Sequence, residues 1–302
     1  MITMKKLAVF LSTILVIAVV SISFTSCVEP EEPEEPIIPE VPEDSGAGIY
    51  KPGKKISKVY EQDEFDVEYL LEEWTWQENK LVSIDYYDEG EFDGRDDYYY
   101  DGDRLYMIGS NNSHYAMLTY HNKQYDKIKY YDINDVLVVE ITFEYSGNKV
   151  SKIIFQKFVD DKKVTSMINR GLMGKLFPEE VAKMVTQNVK NKLAGTYIFT
   201  YTYNGDNIAS ITANYGSVIT YSDFDNYNSP WYNAHPFSAC HETIDTEIYS
   251  KNNPGKVIMT VDTYVANLTF TYTYDGNYPV TIHMNALYGE IQHSSTTRIV
   301  YL

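Results

Sequence analysis

A loop-rich stretch, Tyr221 to Asp245, holds the side chains best suited to contact a ligand. It contains Trp231 and Tyr232, followed by His235 and His241. Indole and phenol rings offer flat apolar faces for a planar or glycan-like ligand, and an imidazole adds a polar nitrogen. Long loops presented by a rigid sheet often carry function, although an ordinary connection between two halves of a sheet is the plain alternative. We predict that these four residues contact a ligand.

Signatures of catalysis and of metal binding are absent from the sequence. There is no His-Glu-x-x-His, paired Cys-x-x-Cys, Gly-x-Ser-x-Gly or phosphate-binding glycine loop. Cys240 and His241 are adjacent, but neighbouring strand residues point to opposite faces, which argues against a thiolate–imidazole pair. The acids crowded between residues 85 and 103 lack EF-hand spacing and indicate a solvated edge. We predict no catalytic residue and no metal site, while two glycosidase carboxylates distant in sequence remain an alternative.

One short pattern recurs six times and is typical of a repeat architecture. Each copy has two aromatic or aliphatic residues separated by one residue, then a turn, then two aliphatics. The second of these two residues, here called the reference aromatic, is Trp76, Tyr100, Tyr120, Tyr145, Tyr203 or Tyr274. Eight residues later each copy has an isoleucine: Ile84, Ile108, Ile128, Ile153, Ile211 and Ile282. The intervening turns include Asp101-Gly102 and Asn204-Gly205, which are strong hairpin signals.

The repeats predict a mainly β protein built as an array of antiparallel hairpins that form a large twisted sheet. Tyr201 and Tyr203 alternate with Thr200 and Thr202, so each strand should have one aromatic and one threonine face. The two aliphatics after each turn are three residues apart, which indicates a loop position or a β-bulge. Two helical patterns interrupt the array at about 162–193. A shorter one lies around Val164, Met167 and Ile168, and a longer one starts near Phe177-Pro178 and is stopped by Gly195. We expect this short helical insertion to cover part of the sheet.

The chain begins with the features of an exported lipoprotein. Residues 1–26 have a lysine pair and a short apolar run, and a cysteine, Cys27, follows them, which predicts a signal peptide and a lipidated Cys27. A secretory signal with an incidental cysteine is the alternative. Residues 27–48 then form a Pro- and Glu-rich linker, which cannot build a core. The third predicted region, 49–302, is the hairpin repeat domain with its helical insertion.

Charge restricts the partners that this chain can have. The formal net charge is −18, and removal of residues 1–26, which contain two lysines and no acid, makes it −20. Such an acidic chain repels nucleic acid, which we exclude as a partner. The predicted partners are the membrane, reached through the lipid on Cys27, and a small-molecule or glycan ligand. We expect an outer-membrane lipoprotein at the cell surface.

The repeated pattern resembles the YD repeats of Rhs-type surface proteins, and it is more similar to repeat-bearing lipoproteins of Bacteroidetes. One such family is of unknown function and is described with a porphyrin ligand. The stretch 221–231 resembles that family's acidic, Asn-Pro-containing loop, although Ser229 interrupts the Asn-Pro pair. The resemblance covers about residues 60–302 and implies an extracytoplasmic β protein with a tetrapyrrole such as haem as cofactor. His235 or His241 would then be an axial contact for the iron.

Three functions are compatible with these patterns. The first is a non-enzymatic surface lipoprotein that binds a flat or glycan-like ligand, with a tetrapyrrole as the specific suggestion. The second is a structural or adhesive protein that uses its sheet edges and an aromatic face for protein contacts. The third is a carbohydrate-active enzyme with an unrecognised pair of acids.

Overall fold

The protein is described from a computed structural model. The structure describes Gly48 and residues 50–62, 67–111, 114–158, 196–240, 243–244, 248–261 and 264–302. The predicted signal peptide, Cys27, most of the linker, the predicted helical insertion at 162–193 and His241 therefore lie outside the described residues. Across the described part of the chain, no helix is long and apolar enough to cross a membrane.

The described elements are eighteen β-strands. Sixteen of them form one closed antiparallel barrel, and β13 and β14 form a separate two-stranded sheet. In chain order the strands are β1 (Ile56–Gln62), β2 (Glu68–Gln77), β3 (Lys80–Asp88), β4 (Glu91–Asp101), β5 (Arg104–Ser110), β6 (Tyr115–His121), β7 (Gln124–Tyr131), β8 (Leu137–Ser146), β9 (Lys149–Lys157), β10 (Thr196–Asn204), β11 (Asn207–Ala213), β12 (Val218–Ser222), β13 (Phe237–Ser238), β14 (Thr243–Ile244), β15 (Lys256–Val261), β16 (Tyr264–Asp275), β17 (Tyr278–Tyr288) and β18 (Ile291–Tyr301).

A β-bulge explains the odd spacing within each repeat. In the first copy Trp76 pairs with Leu81, whereas Thr75 pairs with Ser83, so Val82 has no partner. The extra residue lets two aliphatics that are three apart in sequence point to the same face. The same shift follows the reference aromatic in the other five copies. The predicted bulge is therefore confirmed.

Two further hairpins complete the barrel, and both are modified copies of the repeat. One is split between the two ends of the barrel sequence: Tyr301 of β18 pairs with Ile56 of β1, and Ile299 pairs with Val59, with a register shift as in the repeats. The other joins β12 to β15, and a long insertion replaces its turn. Six repeats, one split copy and one interrupted copy make eight hairpins, which account for all sixteen barrel strands.

The antiparallel hairpins predicted from the repeats are present, but they form a closed barrel and not the predicted large twisted sheet. Closure occurs because β1 and β18, the first and last strands, pair with each other. A closed barrel has no free strand edge, so the barrel strands offer none to the edge contacts considered for an adhesive protein. The repeat pattern specifies each hairpin, whereas closure depends on their number and stagger.

The two faces predicted from the alternation are present, and the structure shows that the aromatic faces point inward and the threonine faces outward. Phe199 and Leu268, for example, are fully buried, whereas the neighbouring Thr200 and Thr269 are exposed. The barrel interior is thus a packed apolar core. Its largest fully buried side chains are Tyr130, Tyr197, Phe155, Phe199, Ile56, Leu81, Leu105, Ile108, Ile128, Ile141 and Ile153.

The outer wall carries ion pairs and hydroxyl residues, with exposed apolar side chains such as Tyr99, Val265 and Leu287 among them. Arg95 of β4 donates two hydrogen bonds to Asp85 of β3, one of them over 2.7 Å from Nη2, and Lys127 of β7 donates to Glu140 of β8 over 2.7 Å. Other outward residues on neighbouring strands are Thr75, Asp97, Lys129, Thr142, Lys152, Thr200, Thr212, Thr220, Thr269, Thr271, His283 and Thr296. Exposed ion pairs of this kind contribute little to stability.

Candidate ligand-binding site

The insertion, residues 223–255, enters the barrel at the end where the repeat turns lie, here called the turn end. Its Phe237 is buried and packs against Tyr130 of the inner wall, with ring centroids 5.5 Å apart. Ala239 and Ile248 are also buried. The predicted loop, Tyr221 to Asp245, covers only part of this segment. The described part of the insertion therefore packs in the barrel interior.

Asp96 fixes the insertion to the inner wall. This carboxylate of β4 is completely buried, and it accepts hydrogen bonds from the Cys240 backbone N–H over 2.6 Å and from Tyr86 Oη over 2.9 Å. Burial raises its pKa to about 6, although the hydrogen bonds from Ser238 and Cys240 act in the opposite direction. Asp96 is thus a structural contact, and its acceptor positions are occupied by the insertion and the wall.

His235 lies deep in the interior among tyrosines. Its ring stacks on Tyr98 with centroids 4.8 Å apart, Nε2 is 3.4 Å from Tyr100 Oη, and Nδ1 is 3.3 Å from Tyr125 Oη. Burial lowers the pKa of His235 to about 3, so the imidazole is neutral at physiological pH. With both ring nitrogens facing phenol hydroxyls, His235 could contact a haem iron only after the insertion had moved.

Trp231 and Tyr232 occupy different environments. Trp231 is half-buried and packs against the core, and its Nε1 is buried without a hydrogen-bond partner. Tyr232 is 36% exposed and lies close enough to Tyr203 of β10 to help raise the pKa of that phenol. The structure therefore brings Trp231, Tyr232 and His235 into one insertion at the turn end, and His241 lies outside the described residues.

An aromatic collar surrounds the insertion at the turn end. It consists of the six reference aromatics together with Tyr221 and Tyr301, which occupy the same position in the interrupted and split hairpins. Several collar residues donate to a backbone carbonyl of the preceding hairpin: Trp76 Nε1 to Ile56 over 2.7 Å, Tyr100 Oη to Leu81 over 3.0 Å and Tyr301 Oη to Pro279 over 2.7 Å.

The acidic loop anchors the insertion to the collar. Asp225 accepts hydrogen bonds from Tyr274 Oη of the collar and from Asn253 Nδ2 over 3.0 Å. Tyr227 stacks on Tyr274 with ring centroids 4.0 Å apart. Asn252 and Asn207 exchange two hydrogen bonds, over 2.9 and 3.1 Å. Asp225 is therefore satisfied within the fold.

Two polar residues of this region were missed by the sequence analysis. Asp96 was predicted to lie on a solvated acidic edge, which is wrong, because it is completely buried. Its side chain points to the same face of β4 as Tyr98 and Tyr100, so strand alternation could have placed it in the core. Tyr249 in the insertion has a buried Oη without a partner, and no sequence signal distinguished it from the other 28 tyrosines of the 29. Among the residues that the structure describes, no three His, Cys, Asp or Glu side chains form a metal site.

Comparisons with known proteins support the fold. No protein-family model and no curated protein matches the chain. A solved porin-like protein from Bacteroides uniformis is 11% identical, covers 85% of this chain and 100% of its own, and has a TM-score of 0.51. A porin-like protein from Bacteroides vulgatus is 13% identical over 82% of this chain and 99% of its own, with a TM-score of 0.40. At such low identity, the first likeness shows the fold alone.

Proposed function

We propose that this chain is a lipid-anchored, non-enzymatic surface protein whose barrel stands in water and binds a small ligand at its turn end. The observation that carries the proposal is the arrangement of the barrel, with an apolar core inside and ion pairs and hydroxyl residues on its outer wall. The lipid on Cys27 and the linker of residues 27–48 would provide attachment to the outer membrane. At about 3.1 Å per residue in an extended polyproline conformation, residues 28–48 would reach about 60 Å.

The polarity of the wall supports an aqueous location. A barrel that spans a membrane has an outward apolar band about 25 Å tall and a polar interior. Here the outer wall carries the Arg95–Asp85 and Lys127–Glu140 ion pairs, while Phe155 and Phe199 pack inside. Burying those charges in hydrocarbon would cost several kcal/mol. The insertion and the apolar core also occupy the interior, which argues against an aqueous channel.

The turn end supports ligand binding. It combines the aromatic collar with Trp231 and Tyr232 of the insertion, and aromatic faces favour flat or glycan-like ligands. A tetrapyrrole remains the specific suggestion from the resemblance, with His235 or His241 as the proposed axial contact. Because His235 is enclosed by Tyr98, Tyr100 and Tyr125, iron ligation by this residue would require displacement of the insertion.

Detergent partitioning tests the location. The mature chain and a Cys27→Ala variant would be separated between the aqueous and detergent phases of Triton X-114. We expect the mature chain in the detergent phase and the variant in water, monodisperse without detergent, because ion pairs and hydroxyl residues occupy much of the outer wall. A Cys27→Ala variant that needs detergent to stay dispersed would contradict an aqueous barrel, and continued palmitate labelling of it would contradict lipidation at Cys27.

Titration tests the tetrapyrrole. Haemin and iron-free protoporphyrin would be added separately to the Cys27→Ala chain and followed by the Soret band. Saturable binding of both would indicate stacking, and binding of haemin alone would indicate iron ligation, which should weaken in a His235→Ala or His241→Ala variant. The absence of a saturable shift with either compound would remove the tetrapyrrole from the proposal.

A further inference from the structure

Large apolar side chains gather at the end of the barrel opposite the turn end, here called the far end. Each is 44–60% exposed, and they include those of Phe92, Ile133, Val136, Phe158, Tyr264 and Ile291. All six residues lie in a strand connection or within two positions of one on this side of the barrel. Single exposed apolar residues are ordinary, but a collection of them at one end of a barrel indicates a surface that contacts something.

Three of these residues surround the point where the chain leaves β9. Ile133 and Val136 belong to the turn between β7 and β8, in which the Asp132 N–H donates to the Val136 carbonyl over 3.1 Å. Phe158 follows β9, and its N–H donates to the Val138 carbonyl of β8 over 3.0 Å. Ile133, Val136 and Phe158, here called the β7–β9 patch, therefore lie on neighbouring backbone segments of the far end.

The far end is acidic as well as apolar. Acids occupy three of its turns: Asp132 and Asp135 in the β7–β9 patch, Asp88, Glu89 and Glu91 beside Phe92, and Glu290 beside Ile291. In the described chain, no lysine or arginine lies within two positions of these three turns. A second copy, with its net charge of −18, or an anionic lipid surface would therefore be repelled. The occupant of this surface should combine apolar and basic residues.

Residues 159–195, which lie outside the described residues, have this composition. They contain seven bases and four acids, a net charge of +3 in a chain whose total is −18. The bases are Lys162, Lys163, Arg170, Lys175, Lys183, Lys190 and Lys192. Within residues 178–193, apolar side chains recur at helical spacing at Val181, Met184, Val185, Val189 and Leu193. A helix of that length would extend about 24 Å.

This basic segment also starts and ends beside the β7–β9 patch. It follows Phe158 directly, and Thr196, the first residue after it, pairs with Gln156 of β9. Neighbouring strands thus fix both ends of the segment at the far end. The outer wall of β8 and β9 is the other surface close to it, but that wall carries the Lys152–Glu144 ion pair, which offers little cover for a row of apolar side chains.

We propose that residues 159–195 dock on the far end, with the apolar residues of 178–193 against the β7–β9 patch and their lysines beside the acids of the turns. Burial of apolar side chains would supply most of the free energy, and opposite charges would set the position. The predicted helical insertion is thereby assigned to the end of the barrel and not to a face of the sheet. This inference is independent of ligand binding at the turn end.

Hydrogen–deuterium exchange of the Cys27→Ala chain tests the docking. We expect the amides of residues 179–193 to exchange at least about 10-fold more slowly than in an unstructured peptide of the same sequence, because docked backbone is protected. Ile133→Ser and Phe158→Ser each remove one apolar side chain of the β7–β9 patch. Each should speed that exchange by about 10-fold, the effect of losing one buried apolar contact surface.

Tyr99→Ser is the matched control. Tyr99 is also 42% exposed, but it lies on the outer wall of β4 near the turn end of that strand, so its loss should leave the exchange of residues 179–193 unchanged. Lys190→Glu combined with Lys192→Glu tests the charges and should speed the exchange, as should added salt with the parent. Urea unfolding of each variant shows whether the barrel itself is intact.

Three results would overturn the inference. Residues 179–193 of the parent could exchange at the rate of the free peptide. Their protection could be the same in the parent, Ile133→Ser and Phe158→Ser, which would mean that the segment packs elsewhere. Protection could also disappear on dilution, together with a dimer in analytical ultracentrifugation, which would assign the far end to a second copy and reject docking within one chain.

Discussion

Burial shifts the pKa values of the two ionisable groups that hold the insertion, His235 and Asp96, in opposite directions. Desolvation disfavours the charged form of any group, so it lowers the pKa of His235 to about 3 and raises that of Asp96 to about 6. Below about pH 6.5, His235 is protonated in the unfolded chain but stays neutral in the folded chain until the pH approaches 3. Between about pH 6 and pH 4, the folded chain binds a proton at Asp96 that the unfolded chain lacks.

The pH dependence of stability should therefore change in opposite senses when each group is removed. His235 makes the free energy of unfolding fall by about 1.4 kcal/mol for each pH unit below about 6.5, and Asp96 makes it rise by a similar amount between about pH 6 and pH 4. The two contributions nearly cancel in this window. We expect Asp96→Asn to lose stability more steeply than the parent on acidification.

His235→Gln supplies the complementary variant. Without the buried imidazole, only the Asp96 contribution remains, so the loss of stability between pH 6 and pH 4 should be smaller than in the parent. Urea unfolding of the parent and both variants at pH 7, 6, 5 and 4 measures these slopes, because all other carboxylates are common to the three chains. Identical slopes in the three proteins would show that the insertion does not bury these groups in solution.

A core isoleucine of the repeat tests the inward face. Ile211 is 1% exposed, so Ile211→Ala removes fully buried methyl groups and should cost about 2–5 kcal/mol in the free energy of unfolding. Thr212→Ala, on the adjacent outward position, is the matched control and should change stability by less than about 0.5 kcal/mol. Chemical denaturation of both variants measures the difference, and equal losses would mean that the strand is not oriented as described.

At the scale of elements, adjacent hairpins are joined at their turns by a repeated contact. The residue four positions after a reference aromatic donates a hydrogen bond to a backbone carbonyl in the turn of the next hairpin. Lys80 Nζ donates to the Gly102 carbonyl over 2.5 Å, and Gln124 Nε2 donates to the Gly147 carbonyl over 3.4 Å. Lys80 Nζ also lies 5.5 Å from the centre of the Tyr100 ring. The repeat thus encodes contacts between hairpins as well as the hairpins themselves.

The insertion and β4 are in close contact at Gly94. A Cβ at this position would collide with Cys240 Sγ, so Gly94→Ala should displace the insertion and cost about 1–3 kcal/mol. Replacement of Cys240 by Ala removes the colliding sulfur. We expect the Gly94→Ala, Cys240→Ala double variant to be more stable than Gly94→Ala alone, with a favourable coupling energy in a double-mutant cycle. Additive effects of the two substitutions would place Cys240 away from Gly94.

The sequence predicted the strands, because their side chains follow a local alternation that can be read along the chain. Tyr201, Tyr203 and Thr202 predicted both faces of β10, because side chains alternate along a strand. The contacts of the insertion follow no such rule: His235 meets Tyr125, 110 residues away, and Cys240 meets Asp96, 144 residues away. Composition marked the insertion as a candidate site, but its burial inside the barrel depends on packing among distant residues.

At the scale of the whole molecule, hairpin number determines the architecture. Six copies are readable in the sequence, but the split copy has its halves at Ile299–Tyr301 and Ile56–Val59, and the interrupted copy has 33 residues, 223–255, between its strands. Neither reads as a repeat along the chain. The six readable copies supply only twelve strands and do not include the pair β1 and β18 that closes the barrel. The sequence therefore predicted an open twisted sheet.

A circular permutant tests the split hairpin. Leu302 would be joined to Gly48 by a Gly/Ser linker of about 12 residues, which spans roughly 20 Å, and the chain would be opened between Gly289 and Glu290 in the turn after β17. We expect the permutant to keep the far-UV circular dichroism of the parent barrel, because the linker joins β18 to β1 and turns these two paired strands into a continuous hairpin. Loss of the β signal would show that this pair does not form.

The pairing of β1 with β18 also sets the order of folding. β1 and β18 pair across about 240 residues of chain, as Tyr60 and Arg298 do. Closing so long a loop requires a large loss of chain entropy. Contacts of high sequence separation form slowly. We therefore expect this pair to form last, after the local hairpins. Until then the chain carries a nearly complete sheet with two unpaired edge strands, and such exposed edges favour association with other chains.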